Sequence, residues 1–86
     1  PTGSSTGTIE EETLQTLTNL EAILEEAGVD RNHVIRCSCF LADLNDFEGF
    51  NDAYGRFFTG TRPTRTTVQA GLMKGIRVEI DAIAKL

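Results

Sequence analysis

An α+β fold, with two helices packed on one face of a β-sheet, is predicted by three features of this 86-residue chain. Apolar residues recur at helical steps through residues 9–27 and again through 47–58. They alternate with a period of two, or sit in Thr/Val-rich runs, through residues 34–41, 64–70 and 76–84. The order that results is helix, strand, helix, strand, strand, which layers the helices on a single sheet.

Each element has its own local cause. Residues 1–7 (PTGSSTG) are a loop by composition. Thr8 and Glu11 fit a capping box, and Glu10, Glu11 and Glu12 place negative charge where a helix N-terminus favours it. Leu14, Leu17, Leu20, Leu24 and Ala27 then form the buried stripe, widened by Ile23, and Gly28 supplies the left-handed stop. After a turn at residues 30–32 comes VIRCSCFL, apolar at both ends and therefore a central strand. Asn45 and Glu48 resemble a second capping box. Phe47, Phe50, Tyr54 and Phe57 follow on one helical face, which must be buried. Residues 59–63 are a loop and 64–70 a Thr/Val-rich strand. Residues 71–75 are a connection. In the last strand Ile76, Val78, Ile80, Ala82 and Ala84 point one way, and Arg77, Glu79 and Asp81 point the other.

This length allows one small domain over residues 1–86. A chain of this size buries only about 60–65% of the surface its unfolded form exposes, so self-association is the expected supplement. The strand pattern gives the same expectation. The sheet face away from the helices is expected to carry Arg65, Thr67, Gln69, Arg77 and Glu79, and a three-stranded sheet has edges that need covering. Either other subunits cover that face or further strands do.

Composition excludes several classes. Net charge is −5 and the pI near 4.7, which disfavours a nucleic-acid or anionic-membrane surface. No apolar run approaches the roughly 18 residues that span a bilayer. Cys37 and Cys39 on one strand face would lie about 6.5–7 Å apart, too far for a direct bridge. Reduced thiols fit that spacing, and with them a cytoplasmic location. The charges are uneven: residues 1–30 hold seven acids and no base, whereas residues 53–78 hold Arg56, Arg62, Arg65, Lys74 and Arg77 with no acid. That asymmetry is read as a solvated acidic helix and a basic stretch able to receive an anion.

Few chemistries remain. No metal site is expected, because His33 is the only histidine and C-x-C alone is not a zinc spacing. No cofactor is expected either, since there is neither a GxGxxG nor a phosphate loop. Cys37 and Cys39 read as buried structural thiols. What is left is an arginine, Arg65, whose planar fork matches a carboxylate, and a strand glutamate, Glu79, able to hold or activate water. Arg65 has a second reading, as an exposed strand residue or a structural ion pair with Glu79. Asn51, the one polar residue in the aromatic stripe, either reaches a cleft or serves as a packing amide.

The segments NDFEGFNDAYGRFF and RPTRTTVQAGLMKGIRVEIDAIA resemble the RidA (YjgF) family of reactive-intermediate deaminases. GTIEEETLQTLTNLEAILEEAG and HVIRCSCFLADLNDF extend the likeness over nearly the whole chain. The resemblance implies a chorismate-mutase-like α+β fold with a mixed sheet, assembled as a homotrimer with sites in the clefts between subunits. It implies hydrolysis of enamines and imines such as 2-aminoacrylate and 2-iminobutanoate to 2-oxo acids and ammonia, with no nucleic acid and no membrane as partner. By the same resemblance Arg65 binds the substrate carboxylate and Glu79 orients the attacking water. Asn51 stands near the site, and Thr67 occupies a substrate-binding position that is cysteine in some members. Met73 departs from the family's usual proline. Relative to the family, the chain starts after the first two strands, which supply a tyrosine, a serine and a glycine backbone group. The alternative function is a non-catalytic trimer binding a small carboxylate or a protein partner.

Overall fold

The structure is a computed structural model that describes residues 8–60 and 62–85. The loop expected at residues 1–7, together with Thr61 and Leu86, lies outside the described residues. Helix α1 spans Ile9–Glu26. Its capping box is present: Glu11 N–H donates to Thr8 Oγ1 at 3.1 Å and Thr8 N–H donates to Glu11 Oε1 at 2.9 Å. Ala27 closes the helix, and Gly28 follows at φ 87°, a backbone setting that side chains with a Cβ rarely adopt. The expected turn at 30–32 is a 3-10 turn, Arg31–His33, capped by Asp30 and closed by His33.

Strand β1, Val34–Leu41, is central, as its apolar ends require. Helix α2, Phe47–Phe57, does not start at an Asn45 capping box. A 3-10 turn, Leu44–Asp46, precedes it, in which Asp43 accepts from Asn45 N–H, and the residue before α2, Asp46, makes no side-chain cap. The short Asp43 side chain reaches the turn first, so the chain enters α2 already wound. Strand β2, Thr64–Gln69, runs parallel to β1, and β3, Val78–Ala84, runs antiparallel on the other side. The sheet order β2-β1-β3 is therefore mixed, with both helices on one face.

Leu17 of α1, Phe50 and Tyr54 of α2, Cys37, Cys39 and Leu41 of β1, and Val78 and Ile80 of β3 fill the core between the layers. Gly49 allows α2 to cross the start of α1, because a Cβ there would collide with Ile9 Cγ2. Arg31 ties the ends of the layer together. Its guanidinium donates to both carboxylate oxygens of Glu21 and to the Phe57 carbonyl, each at 2.7 Å, and lies 3.8 Å from the Phe57 ring centroid.

This pair sets one pH dependence. The Arg31 hydrogen bonds hold the Glu21 carboxyl below its ordinary range, against an opposing push from burial. A depressed folded pKa stabilises above the unfolded value and loses that contribution as pH falls through the folded one. Glu21→Gln is expected to lower stability at pH 7 by about 1 kcal/mol, a charge-assisted bond discounted for the partial exposure of Arg31. The same variant flattens the decline below pH 4. Urea midpoints at pH 7 and pH 3.5 read both effects; parallel curves for the variant and wild type would contradict this role.

The register corrects the expected faces of the sheet. Arg65, Thr67 and Gln69 stand opposite Cys37, Cys39 and Leu41 in a parallel pair, so they share the helix-covered face. From β3, Glu79, Asp81 and Ile83 lie on the open face, across from Phe40, Ser38 and Arg36. The face on which an alternation is placed flips with a one-residue slip, and TRTTVQ has threonines on both faces to mislead it. The open face carries Arg36, Ser38 and Phe40 of β1, Val68 of β2 and Ile83 of β3. Val68 and Ile83 there are exposed.

Candidate functional site

The site is built where β2 passes beneath α2. Arg65 is on an edge strand, so its stem leaves the sheet next to the buried Cys37 while its head reaches the flank of α2. Helical spacing puts Phe47, Phe50 and Tyr54 in a row along that flank. The Arg65 guanidinium carbon lies 4.7 Å from the Tyr54 ring centroid and 5.6 Å from each of the Phe47 and Phe50 centroids. Tyr54 and Phe50 are buried, and Phe47 closes the row at the exposed end.

Arg65 is half-buried, yet among the described residues its side chain has no carboxylate partner and makes no hydrogen bond. That separates it from Arg31, Arg56 and Arg77, which pair with Glu21, Asp52 and Glu12. A guanidinium partly withdrawn from water, held against rings and without an internal anion, is a candidate site for one. Two further polar atoms beside it lack a hydrogen bond of ordinary geometry: Tyr54 Oη and Thr67 Oγ1, both buried.

The thiols below are not nucleophiles. Burial pushes Cys39 up to about 12, and burial pushes Cys37 up as well, with the Tyr54 hydroxyl opposing it. Both are therefore protonated at neutral pH, and the thiolate is the reactive form. Burial also raises the Tyr54 phenol. Cys37 and Cys39 are packing residues, as their free and buried state indicates.

The structure does not bring the four sequence-expected residues together within one chain. Thr67 is on Arg65's strand and face, two residues along. Asn51 is exposed on α2, and its side chain makes no hydrogen bond among the described residues. Glu79 is exposed on the opposite face of the opposite edge strand, paired across from Phe40. With β1 between them, Arg65 and Glu79 stand two strand spacings apart across the sheet and three residues apart along it, roughly 14 Å, and on different sides. An Arg65–Glu79 ion pair within the chain is thereby excluded. The aromatic row was missed as part of the site. Its 47/50/54 spacing was visible, but only the β2 register shows that the row ends on Arg65.

Comparison with known proteins adds the following. The family model described as endoribonuclease L-PSP matches residues 2–86. The protein DfrA of Myxococcus xanthus is 55% identical over 67 residues, covering 77% of this chain and 51% of its own. The 2-iminobutanoate/2-iminopropanoate deaminase of Capra hircus is 47% identical over 79 residues, covering 91% of this chain and 58% of its own. The crystal structure of the YjgF gene product of E. coli superposes with a TM-score of 0.89 at 37% identity, over 96% of this chain and 68% of that one. E. coli TdcF, solved with bound serine, gives 0.88 at 37% identity over the same shares. The chain thus spans little more than half the length of the curated relatives it matches.

Proposed function

This chain belongs to the endoribonuclease L-PSP family, the RidA/YjgF family, and from that premise we propose that it serves hydrolysis of 2-aminoacrylate- and 2-iminobutanoate-type intermediates to 2-oxo acids and ammonia. The observation that carries the reading is Arg65, a half-buried cation with aromatic walls and no internal anion. A carboxylate next to the imine carbon fits that fork bidentately. Relatives named as deaminases, and TdcF with its bound amino acid, support the substrate class.

The chemistry asks little of the protein. An enamine becomes the iminium ion by taking a proton at carbon, and the carbon bonded to nitrogen is then electrophilic. Glu79 accepts a proton from a water as its oxygen adds to that carbon. The nitrogen, protonated in turn by Glu79, leaves as ammonia, and the added hydroxyl gives up its proton as the C=O forms. Arg65 fixes the carboxylate throughout, and Thr67 and Asn51 orient the polar end of the substrate. Most of the acceleration is then orientation and electrostatics.

The faces of the sheet determine how these residues meet. Because Glu79 and Arg65 face opposite sides in one chain, a shared substrate needs Glu79 from a second copy. The open face, with exposed Val68 and Ile83, is the surface such a copy covers, in a homotrimer with cyclic symmetry. A cytoplasmic location is part of the same reading; no helix among the described residues is long and apolar enough to cross a membrane. The second reading is a non-catalytic trimer that holds a small carboxylate. It is favoured by one observation, that Glu79 does not stand beside Arg65 within one chain.

Generation of 2-iminobutanoate by a threonine dehydratase, with imine trapping to follow its disappearance, tests the reading. The 86-residue chain is expected to accelerate hydrolysis and to sediment as a trimer at micromolar concentration. A monomer without acceleration contradicts the deaminase. A trimer that binds 2-oxobutanoate without turnover selects the second reading.

A further inference from the structure

We infer that the aromatic row of α2 sets the orientation of the Arg65 guanidinium, with Tyr54 the principal positioning residue and Phe47 its outer wall. The inference rests on the carboxylate-binding reading of Arg65 and deepens it. An arginine on an edge strand normally sweeps a wide cone, and ordering it on binding reduces affinity. Here three rings at 4.7, 5.6 and 5.6 Å confine the guanidinium from the helix side. The rings themselves are fixed. Tyr54 packs against Phe50 at 5.8 Å and Phe58 at 4.9 Å between centroids, and it is 3% exposed. A rigid wall on one side leaves the fork of Arg65 free only on the other, which is where a carboxylate would dock. No acidic residue competes for it among the described residues. The helix therefore contributes to binding without touching the substrate.

The test reads Arg65 directly. Proton–nitrogen spectra of the arginine Nε–H groups of the full chain are recorded for wild type, Tyr54→Phe, Tyr54→Leu and Phe47→Leu, with Arg65→Lys for assignment. Ring currents are expected to hold the Arg65 signal upfield in wild type and Tyr54→Phe, and to release it in Tyr54→Leu. Arg31, stacked on Phe57 at 3.8 Å, is the internal control and stays in place, which separates a local effect from unfolding. The dissociation constant for 2-oxobutanoate rises about three- to tenfold in Tyr54→Leu, between the range of an exposed cation–ring contact and that of a desolvated one, and remains near wild type in Tyr54→Phe. Phe47 is 37% exposed, so Phe47→Leu leaves folding intact and shows the same two changes at smaller size.

An Arg65 signal and affinity unchanged in both leucine variants would overturn the inference. So would Tyr54→Leu unfolding while Phe47→Leu stays at wild type in both readouts. If wild type binds 2-oxobutanoate and Arg65→Ala does not, such a result removes the positioning role alone. If wild type binds none, the carboxylate reading fails and the positioning role falls with it.

Discussion

Phe50→Ala is expected to move the urea unfolding midpoint far below that of wild type. Phe50 has no exposed surface and packs its ring between those of Phe47 and Tyr54, at 6.3 and 5.8 Å, above the buried face of β1. Truncating a fully buried phenylalanine costs about 3–5 kcal/mol, from lost transfer energy and from the cavity left. A domain of 86 residues has roughly 4–13 kcal/mol in total. The loss is thus a large part of what the fold has, and the site goes with it, because the aromatic row loses its middle member. Ile23→Ala is the matched control: Ile23 is 65% exposed, despite extending the helical stripe, and its truncation stays within about 0.5 kcal/mol. Urea titrations followed by circular dichroism compare the two. Equal midpoints would show that the core is not where the packing places it.

The second large effect concerns the anion site. Arg65→Ala is expected to lower kcat/KM for 2-iminobutanoate about 100- to 1,000-fold, from the loss of two charge-assisted hydrogen bonds to one carboxylate. Its stability changes little, because Arg65 has no ion-pair partner among the described residues to leave stranded. Arg65→Lys is not a conservative rescue. An ammonium keeps the charge but loses the fork and the flat face that lies against Tyr54, so it recovers only part of the loss. Activity of Arg65→Ala near wild type would remove Arg65 from the site altogether.

The sequence made the elements legible and left the site half-legible, for different physical reasons. α1 carries its own start and stop, Thr8 with Glu11 and then Gly28, so local chemistry determines both ends. β3 alternates strictly, with Val78 and Ile80 buried and Glu79 and Asp81 exposed, so its faces could be read directly. The Asn45 start of α2 failed because Asp43, two residues earlier, caps a 3-10 turn that takes in Asn45, and α2 begins after it without a side-chain cap. β2 was the harder case. Its composition announced a strand, but Thr64, Thr66 and Thr67 suit either face, and nothing local says which side Arg65 takes. Only pairing with β1 settles that, and the pairing is a long-range fact. Its consequence reaches furthest, because it separates Arg65 from Glu79 and joins Arg65 to Tyr54.

In the proposed site one substrate is served by Arg65 of one copy and Glu79 of another. Mixing two inactive variants tests it most directly. Arg65→Ala and Glu79→Gln are unfolded together at equal concentration, refolded, and assayed for 2-iminobutanoate hydrolysis. Random assembly of a cyclic trimer gives each cleft an intact arginine and an intact glutamate about one time in four, so about a quarter of the wild-type rate should return. A mixture no faster than its two parents, alongside an active refolded wild type, would contradict a site shared between copies.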